Sequence, residues 1–297
     1  MPRVSLDAAA REREYSPSSC IGGDYAPYLE QYRVASERAH RTLPVRRDLR
    51  YGPAPRALID FFPAMATAAG SRPGLLVYMH GGYWQELSKD SSAFLAPAWH
   101  AAGFAHAVVG YTLAPAATLP AIVAECRAAL AWLRAHAVDL GFDAENIVVA
   151  GSSAGAHLAA AVAKQPSWDA EHPGMIPAGN APVRGIVTVS GIFDVAPLVG
   201  TSINDALGLD AATATTLDLL RTPERFRPAV VAWGEIETRE FTRQSRAFAA
   251  RLAADRTPCT TLEIAARNHF DVVLDLADPR TALFAAARAL FAGPPPR

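Results

Sequence analysis

A mostly parallel β-sheet covered by helices on both faces is the fold class that this sequence predicts, and three observations predict it. Short runs that are apolar at nearly every position alternate along the chain with longer amphipathic runs. The short runs are rich in Val, Ile and Leu and are bounded by Gly, Pro or Asn, as strands buried on both faces are. A small-residue turn, GSSAG, joins one such run directly to a helix-like segment.

Taken in order, residues 1–45 read as partly helical around YAPYLEQYRVASERAHR. They precede the sheet, so an arm packing near the site is expected. RRDLRYG and RALIDFFPA predict a leading antiparallel hairpin. Strands follow at LLVYMH (75–80), HAVVGY (106–111), NIVVAG (146–151), VRGIVTVS (183–190), AVVAWG (229–234) and TTLEI (260–264). Between them, SSAFLAPAWHAAG, LPAIVAECRAALAWLRAHAVDLG, SAGAHLAAAVAKQ and TREFTRQSRAFAARLAAD predict helices. The last helix, PRTALFAAARALFAG, opens on a proline and closes at a glycine, and GPPPR predicts a frayed tail. Residues 192–228 are too long for one helix and too short for a domain, so they predict an excursion bordering the site. In such a sheet, ligands bind beyond the carboxyl ends of the strands. The whole reads as one domain, residues 1–297, with no large separate cap.

Composition narrows the function classes. The chain has 297 residues, 51% of them hydrophobic and 19% charged, with a formal net charge of −1. No basic field points to nucleic acid or to an anionic membrane. The first residues lack a signal-peptide core, and no apolar run could cross a bilayer. Cys20, Cys126 and Cys259 are too few and too widely spaced for a disulfide framework or a zinc site. A cytoplasmic enzyme with a small-molecule substrate and no metal or cofactor is expected. Oligomeric state is not legible.

Gly151-Ser152-Ser153-Ala154-Gly155 carries the strongest chemical signal. G-x-S-x-G between a strand and a helix is the nucleophile elbow, which predicts the α/β-hydrolase fold with Ser153 as nucleophile. The plainer alternative is a small-residue junction without chemistry. The strand-turn-helix context favours the elbow, because the helix start adds positive potential where an oxyanion forms. His80-Gly81-Gly82-Tyr83-Trp84 follows the first strong strand as an oxyanion loop does. Gly82, Tyr83 and Ala154 are the expected N–H donors. His80, at a strand end, is read as bonding loop backbone rather than as a base.

In this fold the acid and then the histidine follow the serine along the chain. Glu235 and Glu237 follow one strand, and His269 follows the next. Glu237 is preferred because Glu235 lies too close to the strand for reach, although either could be a solvated loop charge. His269 is preferred over His172, which has no such position, and over His157, read as a buried structural group. His100 and His106 do not form a metal pair. Asp194 and Asp271 are candidates for structural hydrogen bonds.

HGGYW, GSSAGAHL, and WGEIETREFTRQSRAF followed by NHF together resemble the kynurenine formamidase (arylformamidase) family of α/β-hydrolases. EYSPSS, RYGPAPRALIDFFPA and SGIFDVAPL are similar to it too, so the resemblance covers nearly the whole chain. The acid in such enzymes is usually aspartate, and Glu237 stands at the matching place. The resemblance implies hydrolysis of N-formyl-L-kynurenine to kynurenine and formate in tryptophan catabolism, through a Ser153–His269–Glu237 triad. Tyr83 and Trp84 would form an aromatic wall for the aryl amine, the alternative being core packing. Another aryl amide or ester remains open as the substrate. A carboxylesterase for short acyl esters would use the same triad. A catalytically dead sensor would lack a triad member, and a scaffold would need an exposed apolar or charged surface segment, which this sequence does not show.

Overall fold

The structure, a computed structural model, describes residues 6–65, 72–164 and 183–292. The GPPPR tail and His172 lie outside the described residues. Strands β1 (Arg46–Arg50), β2 (Leu58–Phe62), β3 (Leu75–Met79), β4 (Ala105–Val109), β5 (Ile147–Ser152), β6 (Gly185–Val189), β7 (Ala229–Ile236) and β8 (Cys259–Asn268) form one sheet. Their spatial order is β1-β2-β4-β3-β5-β6-β7-β8. β1 pairs antiparallel with β2, and β2 with β4. All other neighbours are parallel. This is the α/β-hydrolase architecture with a leading antiparallel edge.

The central strands β3, β4 and β6 are buried at every position because both faces of the sheet are covered there. Along β3, Leu75, Val77 and Met79 join one core cluster, while Leu76 and Tyr78 join the other. The helices are α1 (Ala8–Glu14), α2 (Ala26–Thr42), α3 (Ala96–Ala101), α4 (Leu119–Ala135), α5 (Ala137–Leu140) and α6 (Ala154–Val162). After them come α7 (Asn204–Leu207), α8 (Ala211–Thr216), α9 (Arg239–Ala254) and α10 (Ala282–Ala289). Leu130 of α4, Leu158 of α6 and Phe248 of α9 pack in the first cluster. Tyr32 of α2, Trp99 of α3 and Leu283 of α10 pack in the second. No helix among the described residues is long and apolar enough to cross a membrane.

Several boundaries differ from the sequence reading. The amphipathic run at 119–141 breaks at His136 and stops at Gly141, whose φ of +79° suits a residue without a side chain. The last helix starts at Ala282 rather than at Pro279, because the Thr281 hydroxyl caps it by accepting from the Phe284 N–H at 3.1 Å. β7 runs on to Ile236, and β8 runs four residues past TTLEI to Asn268. β8 is an edge strand with many exposed positions, so its continuation carries no apolar signature.

One buried cluster ties the N-terminal arm to the sheet. Asp60 on β2 is fully buried, and its carboxylate meets His40 Nε2 at 2.9 Å, the Asp48 N–H at 2.9 Å and Lys89 Nζ at 3.0 Å. Burial alone would raise the Asp60 pKa, but these partners outweigh it and hold the carboxyl down at about 2. An unfolded aspartate titrates near ~3.9. The stabilisation is therefore present above about pH 4 and is lost as pH falls towards about 2. Asp60→Asn should accordingly be less stable than wild type at neutral pH, with the difference shrinking through that window in denaturant titrations. A pH-independent difference would remove Asp60 as its source.

Candidate active site

The elbow is built by close approach of backbones. β5 ends at Ser152 and α6 begins at Ala154, so Ser153 alone makes the turn, at φ +55° and ψ −121°. A β-carbon on Gly151 would lie 2.1 Å from the Gly155 carbonyl oxygen, and one on Gly155 would lie 2.0 Å from the Met79 carbonyl oxygen. Only glycine fits either position. The Ser153 N–H donates to the Val189 carbonyl oxygen at 2.8 Å, and Ser152 Oγ lies 2.9 Å from the buried Tyr78 hydroxyl.

The His80–Trp84 loop crosses directly over this turn. A β-carbon on Gly81 would lie 2.8 Å from the Ser152 carbonyl oxygen and 3.2 Å from Ser153 Cβ. Gly82, Tyr83 and Trp84 all have positive φ, at +90°, +49° and +59°. The Gly82 carbonyl closes the turn by accepting from the Gln85 and Glu86 N–H groups at 2.8 and 2.9 Å. No acceptor among the described residues meets the N–H of Gly82, Tyr83 or Ala154. Their donors remain available to a ligand oxygen.

The acid and the histidine meet beyond β7 and β8. His269 Nδ1 lies 3.1 Å from Glu237 Oε2, and the Glu237 side chain is wholly buried. The other carboxylate oxygen, Oε1, accepts from the Gly234 N–H at 2.6 Å and from the Ser190 hydroxyl. Glu235 is exposed, and its carboxylate accepts from the Ala266 N–H at 2.8 Å. It thus serves an irregularity between β7 and β8: Gly234 pairs with Ile264 but Ile236 pairs with Asn268, and Ala266 takes φ +57°. The two extra residues on β8 re-aim the segment that carries His269.

His269 is also held from the N-terminal side. Its ring packs on Phe241 at 4.3 Å and on Phe270 at 5.4 Å. The Asn268 side chain accepts from the Phe270 N–H at 2.8 Å and donates to the Tyr28 hydroxyl at 2.9 Å. Tyr25 and Tyr28 stack on Phe270, and the Tyr32 hydroxyl donates to the Phe270 carbonyl. The arm is anchored in turn by Tyr15, whose hydroxyl donates to Glu240 at 2.7 Å. Glu240 is paired with Arg243 in a buried two-point bridge at 2.8 and 2.7 Å.

Ser153, His269, Gly81, Gly82 and Tyr83 line one cavity of about 320 Å³. Tyr15, Ser16, Pro17, Ser18, Tyr25 and Tyr32 of the arm form much of its wall, with Ser202 and Ile203 from the 192–228 excursion. Its charged members besides the histidine are Glu12 and Glu86, and no lysine or arginine lines it among the described residues.

Trp84 needs correction: it is wholly buried, sits edge-on to His157 at 5.4 Å and does not line the cavity. The left-handed backbone of the loop turns it into the core, so it forms no aryl wall. His80 is buried, stacks on Tyr111 at 4.3 Å, and its Nδ1 lies 3.0 Å from the Gly81 carbonyl oxygen. Burial lowers its pKa to about 4, as it does that of His157, whose Nε2 meets the Leu217 carbonyl oxygen at 3.1 Å. Asp271 accepts from the Asn268 N–H at 2.7 Å, and Asp194 from the Ala196 N–H at 3.2 Å. Among the described residues no group of three or more His, Cys, Asp or Glu could hold a metal ion. The sequence reading missed Ser190 and the α2 tyrosines. Tyr25, Tyr28 and Tyr32, spaced by three and four, do mark one helix face. Ser190 ends the VRGIVTVS run and opens SGIFDVAPL, but nothing in either stretch marks it as a partner of the acid.

Comparison with known proteins gives a consistent picture. The family described as BD-FAE matches residues 62–221, a segment that holds the glycine loop and the elbow. The kynurenine formamidase of Danio rerio is 26% identical over 288 residues, spanning 94% of this chain and 92% of that protein. Esterase LipQ of Mycobacterium tuberculosis is 33% identical over 150 residues, 50% of this chain and 35% of its own length. Among solved structures, a protein described as a thioesterase from Silicibacter sp. tm1040 superposes with a TM-score of 0.78 at 28% identity, covering 93% of this chain and 98% of that one. Esterase LipW of Mycobacterium marinum, at 20% identity and a TM-score of 0.68, covers 93% of this chain and 90% of its own, and shares the fold.

The close approach at the elbow is directly testable. Gly155→Ala would press a methyl group into the backbone at the end of β3, with no flexible side chain there to yield. It should fail to give folded protein, or melt far below wild type. Leu158→Ala, one turn along the same helix and fully buried, should fold with a loss of roughly 2–5 kcal/mol. A Gly155→Ala protein as stable as Leu158→Ala would show that the backbones can separate.

Proposed function

The chain belongs to the BD-FAE family and is a hydrolase, and on that premise we propose that it cleaves an aryl formamide, N-formyl-L-kynurenine above all, through Ser153, His269 and Glu237. The observation that carries the reading is convergence. One cavity collects a serine on a strained elbow, a histidine bonded to a buried carboxylate, and loop N–H groups that meet no acceptor among the described residues.

In this reading His269 takes the Ser153 proton as Oγ attacks the formyl carbon. Glu237, at Nδ1, fixes the tautomer and stabilises the imidazolium. The N–H groups of Gly82, Tyr83 and Ala154 receive the oxyanion. His269 then hands its proton to the aryl nitrogen, and the C–N bond breaks. It next takes a proton from water, whose oxygen attacks the formyl ester, and returns that proton to Ser153 Oγ as formate leaves.

Two features support the substrate. Two fish kynurenine formamidases match at 26% and 27% identity over at least 90% of both partners. Tyr83 lines the cavity for an aryl group, and Glu12 and Glu86 give it the sign that favours an ammonium group. A cytoplasmic place in tryptophan catabolism goes with that substrate. The second reading, a carboxylesterase for short acyl or aryl esters, rests on the esterase matches.

Ser153→Ala should fold and lose roughly 10⁴ to 10⁶ in kcat, and retention of a tenth would remove Ser153 as nucleophile. Glu237→Gln should cost about two to four decades and Glu235→Gln less than about tenfold, because only Glu237 reaches His269. The reverse order would move the acid to Glu235. For the wild type, kcat/KM for N-formyl-L-kynurenine should exceed that for p-nitrophenyl acetate by at least about tenfold. A better ester rate selects the carboxylesterase.

A further inference from the structure

Glutamate as the triad acid raises a problem of aim. It carries one more methylene and one more rotatable bond than aspartate, so its carboxylate has more ways to miss Nδ1. The Glu237 side chain is fully buried, so water does not hold its far oxygen. Two donors do. The Gly234 N–H belongs to β7 and is fixed by the sheet. The Ser190 hydroxyl is the other, donating to Oε1.

Ser190 is itself an unusual residue. It stands just beyond β6 with φ +51°, a conformation that costs any residue with a β-carbon and suits glycine. Its N–H donates to the Ala232 carbonyl at 2.8 Å, and the residue is 1% exposed. A glycine would take this backbone more cheaply, yet a serine occupies it with its hydroxyl on the acid. Strain held at such a point indicates a role for the side chain.

We propose that Ser190 is a positioning residue that acts through Glu237: it holds Oε1, so that Oε2 is presented to His269 Nδ1 in a single geometry. This rests on the triad reading above. Ser190 touches no reacting atom, so its loss should slow turnover without changing how substrate is held. It should also be felt only while residue 237 is a carboxylate.

The test uses the full chain and p-nitrophenyl acetate, an activated ester open to any hydrolase of this geometry. Ser190→Ala and Ser190→Gly should each lower kcat about 10- to 100-fold, the range for a hydrogen bond to a charged group, with KM within about twofold of wild type. Ser190→Gly relieves the backbone and should melt no lower than wild type, which separates turnover from folding. In a Glu237→Gln background, removing the Ser190 hydroxyl should cost less than about threefold more. Wild-type kcat in Ser190→Gly, a change confined to KM, or full additivity with Glu237→Gln would each overturn the proposal. If in those cases Ser153→Ala and Glu237→Gln remain impaired, the triad stands without Ser190. Should Glu237→Gln be fully active, the triad reading fails and the role of Ser190 fails with it.

Discussion

Gly155 lies against the end of β3 so closely that no side chain can stand there, and the site follows from that contact. It brings the start of α6 beside Met79 and His80, which fixes the helix N-terminus relative to two strands at once. The chain between β5 and α6 then has a single residue in which to reverse. Ser153 takes the strained conformation because the packed backbones on either side leave no other. The same closeness sets Gly81 over Ser153, so the glycine loop and the elbow come as one unit.

The second half of the site depends on the far edge of the sheet. Glu237 and His269 follow neighbouring parallel strands, whose registry would place their side chains by itself if both strands were regular. They are not: β8 carries two extra residues opposite β7, and the Glu235 carboxylate holds the irregularity through the Ala266 N–H. A bulge of this kind turns the strand and changes where the next residue points. Glu235 and Glu237, two positions apart on one strand end, therefore do different work, one on backbone and one on the imidazole.

The N-terminal arm completes the cavity rather than decorating the fold. Tyr15 reaches the buried Glu240–Arg243 pair, and Gln244 bonds both the Tyr15 hydroxyl and the Asp194 carbonyl, each at 3.0 Å. A buried ion pair is costly unless its remaining lone pairs are satisfied, and the Tyr15 hydroxyl helps to satisfy them. The arm and the 192–228 excursion thus share one anchor, and both contribute to the cavity wall. The ring of Phe270, stacked by Tyr25 and Tyr28, links that arm to the residue next to His269.

Sequence alone determined whatever depends on local pattern. Runs of Val, Ile and Leu placed the central strands, because a strand covered on both faces must be apolar throughout. Gly-x-Ser-x-Gly and His-Gly-Gly placed the two glycine-dependent turns, because those turns exclude side chains at defined positions. Tertiary structure decided whatever depends on distance across the chain. It continued β8 past Ile264, where an edge strand needs no apolar residues, and it sent Trp84 into the core through three successive left-handed residues. It separated Glu237 from Glu235 by which carboxylate met the imidazole. It also brought Ser190, 47 residues away from Glu237 in sequence, onto the same carboxylate. No local pattern encodes that meeting, because it arises from the parallel alignment of β6 with β7 and from one left-handed residue at a strand end.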